Sequence, residues 1–186
     1  DYRKQHQRSF KIIWSHSQNR KANPFYSFTS NVNFQLNRYD QLNRNDANSA
    51  LNNTLSSSIK YTRYFPDQPF TLTTSLRHTQ NQNTGEINIS FPDVLFNVRQ
   101  INPFKRKQSI GENRWYEDIG FTYNFQLKNN YQVQDSAFLK NIQQNDFDYG
   151  AKHSLNLSST YTVLKYLQFR TSVNFNEFWH FRQQNK

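Results

Sequence analysis

Strict alternation between apolar and polar residues runs through most of this chain, and it leaves few choices of fold. In 25–36 the even positions are Tyr26, Phe28, Ser30, Val32, Phe34 and Leu36, while the odd positions from Ser27 on are Thr29, Asn31, Asn33 and Gln35. In 51–62 one face carries Leu51, Leu55, Ile59 and Tyr61, and the other carries Asn52, Thr54, Ser56, Ser58, Lys60 and Thr62. The pattern returns with Phe70, Leu72 and Leu76, with Ile119 through Leu127, and again in 155–163 and 167–175. A period of two puts successive side chains on opposite faces of a strand. Helix signals are nearly absent, because Asn, Ser and Thr compete with helical hydrogen bonds and aromatic residues prefer strands. The alternation predicts an all-β chain with eight strands, at 9–17, 25–37, 51–64, 70–80, 85–101, 114–128, 148–163 and 167–180.

One strand breaks its own rhythm. Apolar residues fall on odd positions at Ile87, Ile89 and Phe91, then on even positions at Val94, Phe96 and Val98. A β-bulge at Pro92-Asp93 adds one residue and flips the face, and proline is tolerated at a bulge; two separate strands are the alternative. With one strand over 85–101, the links 65–69, 102–113 and 164–166 fall at one end and 38–50, 81–84 and 129–147 at the other. Except for 102–113, one end has tight turns and the other long polar loops, which is the asymmetry of outer-membrane barrels.

Strand length and composition separate a membrane barrel from a soluble sandwich. A tilted spanning strand needs about 9–11 residues, against about 5–6 for the mean globular strand. Only 34% of residues are hydrophobic, too few for a thick sandwich core, yet 17% are aromatic, too many for disorder. A barrel turns one face to lipid and keeps the other polar. Aromatics gather near strand ends, at Phe25-Tyr26, Tyr64-Phe65, Trp115-Tyr116, Tyr166 and Phe178-Trp179, where rings suit the head-group level. Phe28, Phe34, Leu72, Phe121, Phe125, Leu157 and Val173 are expected to face lipid. The chain has no cysteine, hence no disulfide framework or thiolate metal site. It has no methionine and opens on DYRKQHQRSF without an apolar core, which reads as a processed form or an internal fragment.

The stretch NPFKRKQSIGENRWYEDIGFTYNFQLKN (102–129) carries a family resemblance, together with 9–24, 51–65, 70–98 and 152–181. The chain resembles the LptD-like lipopolysaccharide-assembly proteins, also called organic-solvent-tolerance proteins, of the Bacteroidota outer membrane. Its most specific parts are PFKRK (103–107) and RWYE (114–117). The resemblance implies a transmembrane antiparallel β-barrel of about two dozen strands, preceded by a periplasmic β-jellyroll. It also implies a plug lipoprotein like LptE, a periplasmic Lpt bridge, and a lateral opening that releases lipopolysaccharide into the outer leaflet. On that reading residues 1–186 are about eight meander strands of one outer-membrane barrel domain, with the jellyroll outside the chain.

If the apolar faces meet lipid, the other faces line the lumen. Lys11, Lys60, Arg77, Arg99, Lys128, Lys152 and Arg170 fall on the polar face, with Glu86 and Asp118 as the acids. Such a wall would attract the phosphates of lipopolysaccharide; the plainer reading is that these cations face lumen water or pair with acids on strands outside the chain. Arg63 lies on the apolar face near a strand end and is expected to snorkel to the interface. Lys105, Arg106 and Lys107 form a basic turn at the periplasmic end, fit for incoming lipopolysaccharide, a partner protein or plain solvation. RWYE is either an interfacial anchor or a structural turn contact. No histidine lies in a metal-ligand or triad motif and no glycine-rich phosphate loop exists, so no enzyme, metal or cofactor is expected. Two other functions compete. A complete eight-stranded barrel would serve as a porin, adhesin or anchor. A soluble nucleic-acid binder would use basic and aromatic residues, but the cations here are spread along strands, and nucleic acid is not an expected partner.

Overall fold

The computed structural model describes residues 10–19, 21–36, 54–108, 111, 114–138, 147–163 and 166–181. Eight strands form one antiparallel sheet in sequence order: β1 (Phe10–Ser17), β2 (Tyr26–Leu36), β3 (Thr54–Tyr64), β4 (Phe70–Asn81), β5 (Glu86–Ile101), β6 (Gly120–Gln134), β7 (Phe147–Val163) and β8 (Leu167–His180). β1 and β8 do not pair with each other, so the sheet is open and the closed eight-stranded barrel is not formed. The alternation decides this register. Phe70, Val98, Tyr123, Leu155 and Phe175 are successive cross-strand partners, as are Tyr26, Arg63, Leu72, Phe96, Phe125, His153 and Glu177. A slip of one residue in any strand would turn its apolar set to the polar side.

The Pro92 region behaves as its sequence suggests. β5 is one strand, and its pairing with β6 shifts between Ser90 and Asp93, where two residues of β5, Phe91 and Pro92, oppose one of β6, Asn129. The extra residue is what moves the apolar set from Ile87 and Ile89 to Val94 and Phe96 without changing sides. A second shift lies between Val98 and Ile101. The hairpin at 82–85 is closed by Asn81, whose side-chain oxygen accepts from the Asn83 and Thr84 N–H groups at 2.9 and 3.3 Å. Gly85 then takes a φ of 69°, a left-handed conformation that favours glycine.

β6 departs from the expected 114–128. It begins at Gly120, so RWYE and Asp118 lie in the preceding connection, and it runs on to Gln134. Asn129-Asn130 reads like a turn in sequence, but Tyr131 and Val133 continue the apolar face and pair with Ile89 and Ile87. The link after it is shorter than expected, and it opens with a 3-10 turn at Asp135–Ala137.

The two faces are chemically distinct across all eight strands. Phe28, Phe34, Leu72, Phe121, Phe125, Leu157 and Val173 share one face. Rings pair across strands there: Phe70–Phe96 at 5.7 Å, Phe125–His153 at 4.8 Å and His153–Trp179 at 4.6 Å between centroids. Cross-strand aromatic pairs of this kind stabilise a sheet by about 0.5–1.5 kcal/mol beyond burial. Toward the β7–β8 edge this face has no protein over it, for Leu157, Val173 and Phe175 are exposed, whereas its residues on β4 through β6 are half-buried or buried. Its loop end is covered. Leu55, Ser57, His78 and Gln80 are buried there, and the Phe138 ring lies 5.7 Å from Phe34.

Candidate functional site

Two grooves lie on the polar face. A groove of about 930 Å³ on it is lined by Arg77, Asn88, Lys128, Asn130, Asp148 and His180, from β4 through β8. A second, of about 340 Å³, reaches Lys60, Thr73, Asp93 and Gln126. The polar face, which carries these grooves, is called the inner face below, and the aromatic face the outer one.

One row of cross-strand partners on the inner face reads Thr29, Lys60, Ser75, Asp93, Lys128, Gly150 and His180. It collects two lysines and a histidine around a single acid. Asp93 is 4% exposed and accepts a hydrogen bond from Arg77 Nη2 at 2.6 Å. A buried carboxylate needs such a partner, so Arg77 is committed to the wall itself. Lys60, Lys128 and Arg170 form no ion pair among the described residues. Lys152 sits one step toward the turn end, its ammonium 5.2 Å from the Phe178 ring centre. Lys11 shares the face, opposite Gln35. Arg99 does not join them: it falls within the second register shift, and its guanidinium donates to the Gln68 carbonyl at 3.4 Å in the turn between β3 and β4. Arg63 is on the outer face at the turn end, 5.6 Å from the Phe65 ring centre.

Sequence reasoning missed three groups on this wall: Asp93, Asp148 and His180. Asp93 sits at the flip of alternation, where parity gives no answer. The signal available was the bulge itself, since the residue after the flip must return to the polar side. Glu86, the acid expected there, accepts from Gln132 Nε2 at 2.6 Å. Asp118 lies off the wall, in the connection before β6.

At the turn end the two most specific sequence segments meet. Arg106 of PFKRK forms an ion pair with Glu117 of RWYE, which is 1% exposed. Glu117 also accepts from the Arg114 N–H at 3.3 Å, and its carbonyl accepts from Asn102 Nδ2 at 3.3 Å. The bond from Arg106 holds the Glu117 carboxyl below its usual value, against the opposing effect of burial, and the Arg106 guanidinium is raised in return. RWYE is thus a structural turn contact through Glu117, while Trp115 stays 71% exposed.

A serine and a histidine also meet, at the covered end of the outer face. Ser57 Oγ lies 3.2 Å from His78 Nδ1. The hydroxyl accepts from the Asn33 N–H and donates to the Asn33 carbonyl, both at 3.0 Å. With its single proton on Asn33, Ser57 receives the imidazole N–H rather than giving up a proton to it. That is a strand-end cap, not an activated nucleophile. No group of three His, Asp or Glu side chains is placed to hold a metal among the described residues.

A family model described as LptD protein matches residues 1–186. The chain belongs to the LptD protein family. No curated protein and no solved structure matches it. Within this LptD chain, PFKRK and RWYE are one interlocked unit, and the inner wall is built from side chains of every strand.

Proposed function

We propose that this chain forms part of the barrel wall of the outer-membrane translocon that inserts lipopolysaccharide into the outer leaflet. The observation that carries the reading is the sorting of the two faces in an LptD-family chain: an aromatic outer face, exposed toward the β7–β8 edge, and a polar, cationic inner face. Strands of 11 to 17 residues in β2 through β8 exceed the roughly 9–11 needed to cross a bilayer at a tilt. On this reading the whole described chain is barrel, its turn end faces the periplasm, and its partners are lipopolysaccharide, a plug lipoprotein and the periplasmic Lpt bridge. The work done is conduction of an anionic lipid without bond-making chemistry. Lys60, Lys128, Lys152 and Arg170 each contribute modestly to a field that draws phosphates.

A wall of this kind gives graded behaviour. Replacing one lysine by glutamine should leave surface lipopolysaccharide nearly unchanged, whereas the triple variant Lys60→Gln, Lys128→Gln, Lys152→Gln should slow its delivery. Arg77 is left out because Asp93 already neutralises it. The measurement is surface lipopolysaccharide at matched barrel abundance. Normal delivery by a normally assembled triple variant would remove the charge from the mechanism.

A further inference from the structure

The turn end of the sheet carries an exposed aromatic ring in three of its four connections, and beside the fourth Tyr64 ends β3 on the polar face. Phe25 precedes β2 and is 50% exposed, Tyr64 closes β3 at 36%, Trp115 precedes β6 at 71%, and Tyr166 precedes β8 at 92%. A protein partner covers one patch. Rings at three connections, spread from β1 to β8, match a planar environment, and the plane available at the end of an apolar outer face is the membrane surface.

The connection between β5 and β6 carries two exposed lysines beside its rings; Lys21 and Arg63 are exposed cations at the β1–β2 and β3–β4 connections. Lys105 and Lys107 are exposed and form no ion pair among the described residues, and Phe104 beside them is 56% exposed. The nearby Glu117 cannot neutralise them, because it is buried and taken by Arg106. The clamp thus removes one acid from the surface and ties the segment that carries the two lysines to the one that carries Trp115.

We propose that this rim is a membrane-surface anchor and that the β5–β6 connection is its contact for anionic phospholipid, with Lys105 and Lys107 on the lipid phosphates and Phe104 and Trp115 at head-group depth. The proposal rests on the membrane reading above and adds to it a lipid class and a place. Each lysine near an anionic surface contributes about 1 kcal/mol, close to fivefold in a docking equilibrium.

The test uses the full protein in phosphatidylethanolamine vesicles, with and without phosphatidylglycerol. The chain has no cysteine of its own, so Trp115→Cys carries a nitroxide whose spectrum separates docked from water-exposed states. Phosphatidylglycerol should raise the docked fraction, and the rise should fade in high salt. Lys105→Gln and Lys107→Gln should each lower the docked ratio by about fivefold. A label at Leu157→Cys on the outer face reports whether the sheet is in the bilayer at all. If that label is in lipid while position 115 ignores both phosphatidylglycerol and the lysines, the anchor is overturned and the membrane reading stands. If both labels are in water, both fail. Protection of position 115 in whole outer membranes but not in pure lipid would assign the rim to a protein partner and overturn the proposal.

Discussion

Leu127 and Lys128 are neighbours in β6, yet they belong to surfaces with opposite tolerances. The outer face accepts rings and aliphatic chains on all eight strands and keeps its arginine, Arg63, at the turn end beside Phe65, with Glu177 toward the loop end of β8. The inner face holds lysines, amides and even a buried carboxylate, because Arg77 answers Asp93 at 2.6 Å. The difference teaches that hydrophobicity per residue is the wrong measure for this chain. A mean hydropathy of −1.00 describes neither surface; it averages a wall that meets apolar groups with one that meets water and ions.

The comparison breaks most visibly if a charge is moved across it. Phe125→Arg on the outer face should cost about 2–4 kcal/mol if the site lies near the bilayer midplane, whereas Gln126→Arg, next along the chain, should cost little. Denaturant unfolding of the two variants from vesicles gives the contrast directly, and equal losses would mean that the faces are assigned wrongly. A smaller effect is expected within the inner face. Arg77→Ala leaves Asp93 buried without its partner, at a cost of about 1–3 kcal/mol, and the double variant Arg77→Ala, Asp93→Ala should recover part of it. A double variant no better than the single one would show that the pair is not coupled.

The turn end offers a more local readout. The Glu117 carboxyl has its folded pKa depressed from 4.5 by Arg106, so its contribution to stability is full above that ordinary value and is lost as pH falls through the depressed one. The fluorescence of Trp115, with Trp14 and Trp179 replaced by Phe, should therefore stay constant down to pH 4.5 and change only in stronger acid. Glu117→Gln should show the acid-state signal at neutral pH. The smallest effect belongs to Lys152→Gln, an inner-face lysine that only lies over the Phe178 ring. Its unfolding should change by no more than about 0.5 kcal/mol, which makes it the control for the transport experiment.

How far the sequence could be read depended on where the chain obeys its period. Seven strands fall within a few residues of their expected limits, and the outer-face set around Phe28, Phe125 and Leu157 follows from parity alone. The inner cations Lys60, Lys128, Lys152 and Arg170 were legible for the same reason. Parity failed wherever a residue was inserted. Asp93 stands at the first bulge, where counting gives no face, and Arg99, counted onto the polar face, lies inside the second register shift with its guanidinium on the Gln68 carbonyl. β6 was misplaced because RWYE continues the look of a strand, while its Glu117 is drawn into the connection by Arg106. That bond joins residues eleven positions apart in a loop, and no periodicity announces it.

The order of the sheet has a kinetic consequence. Each strand makes its main contacts with the strands before and after it in the chain. Closing one hairpin therefore orders only a short stretch, and the entropy lost grows in small steps rather than in one long-range search. Assembly can advance as a zipper, hairpin upon hairpin, each formed pair templating the next edge. A defect in a middle strand such as β5 would then stall the process with one flank already paired and the other still waiting, so a single substitution there should trap an intermediate that a substitution in β1 would not.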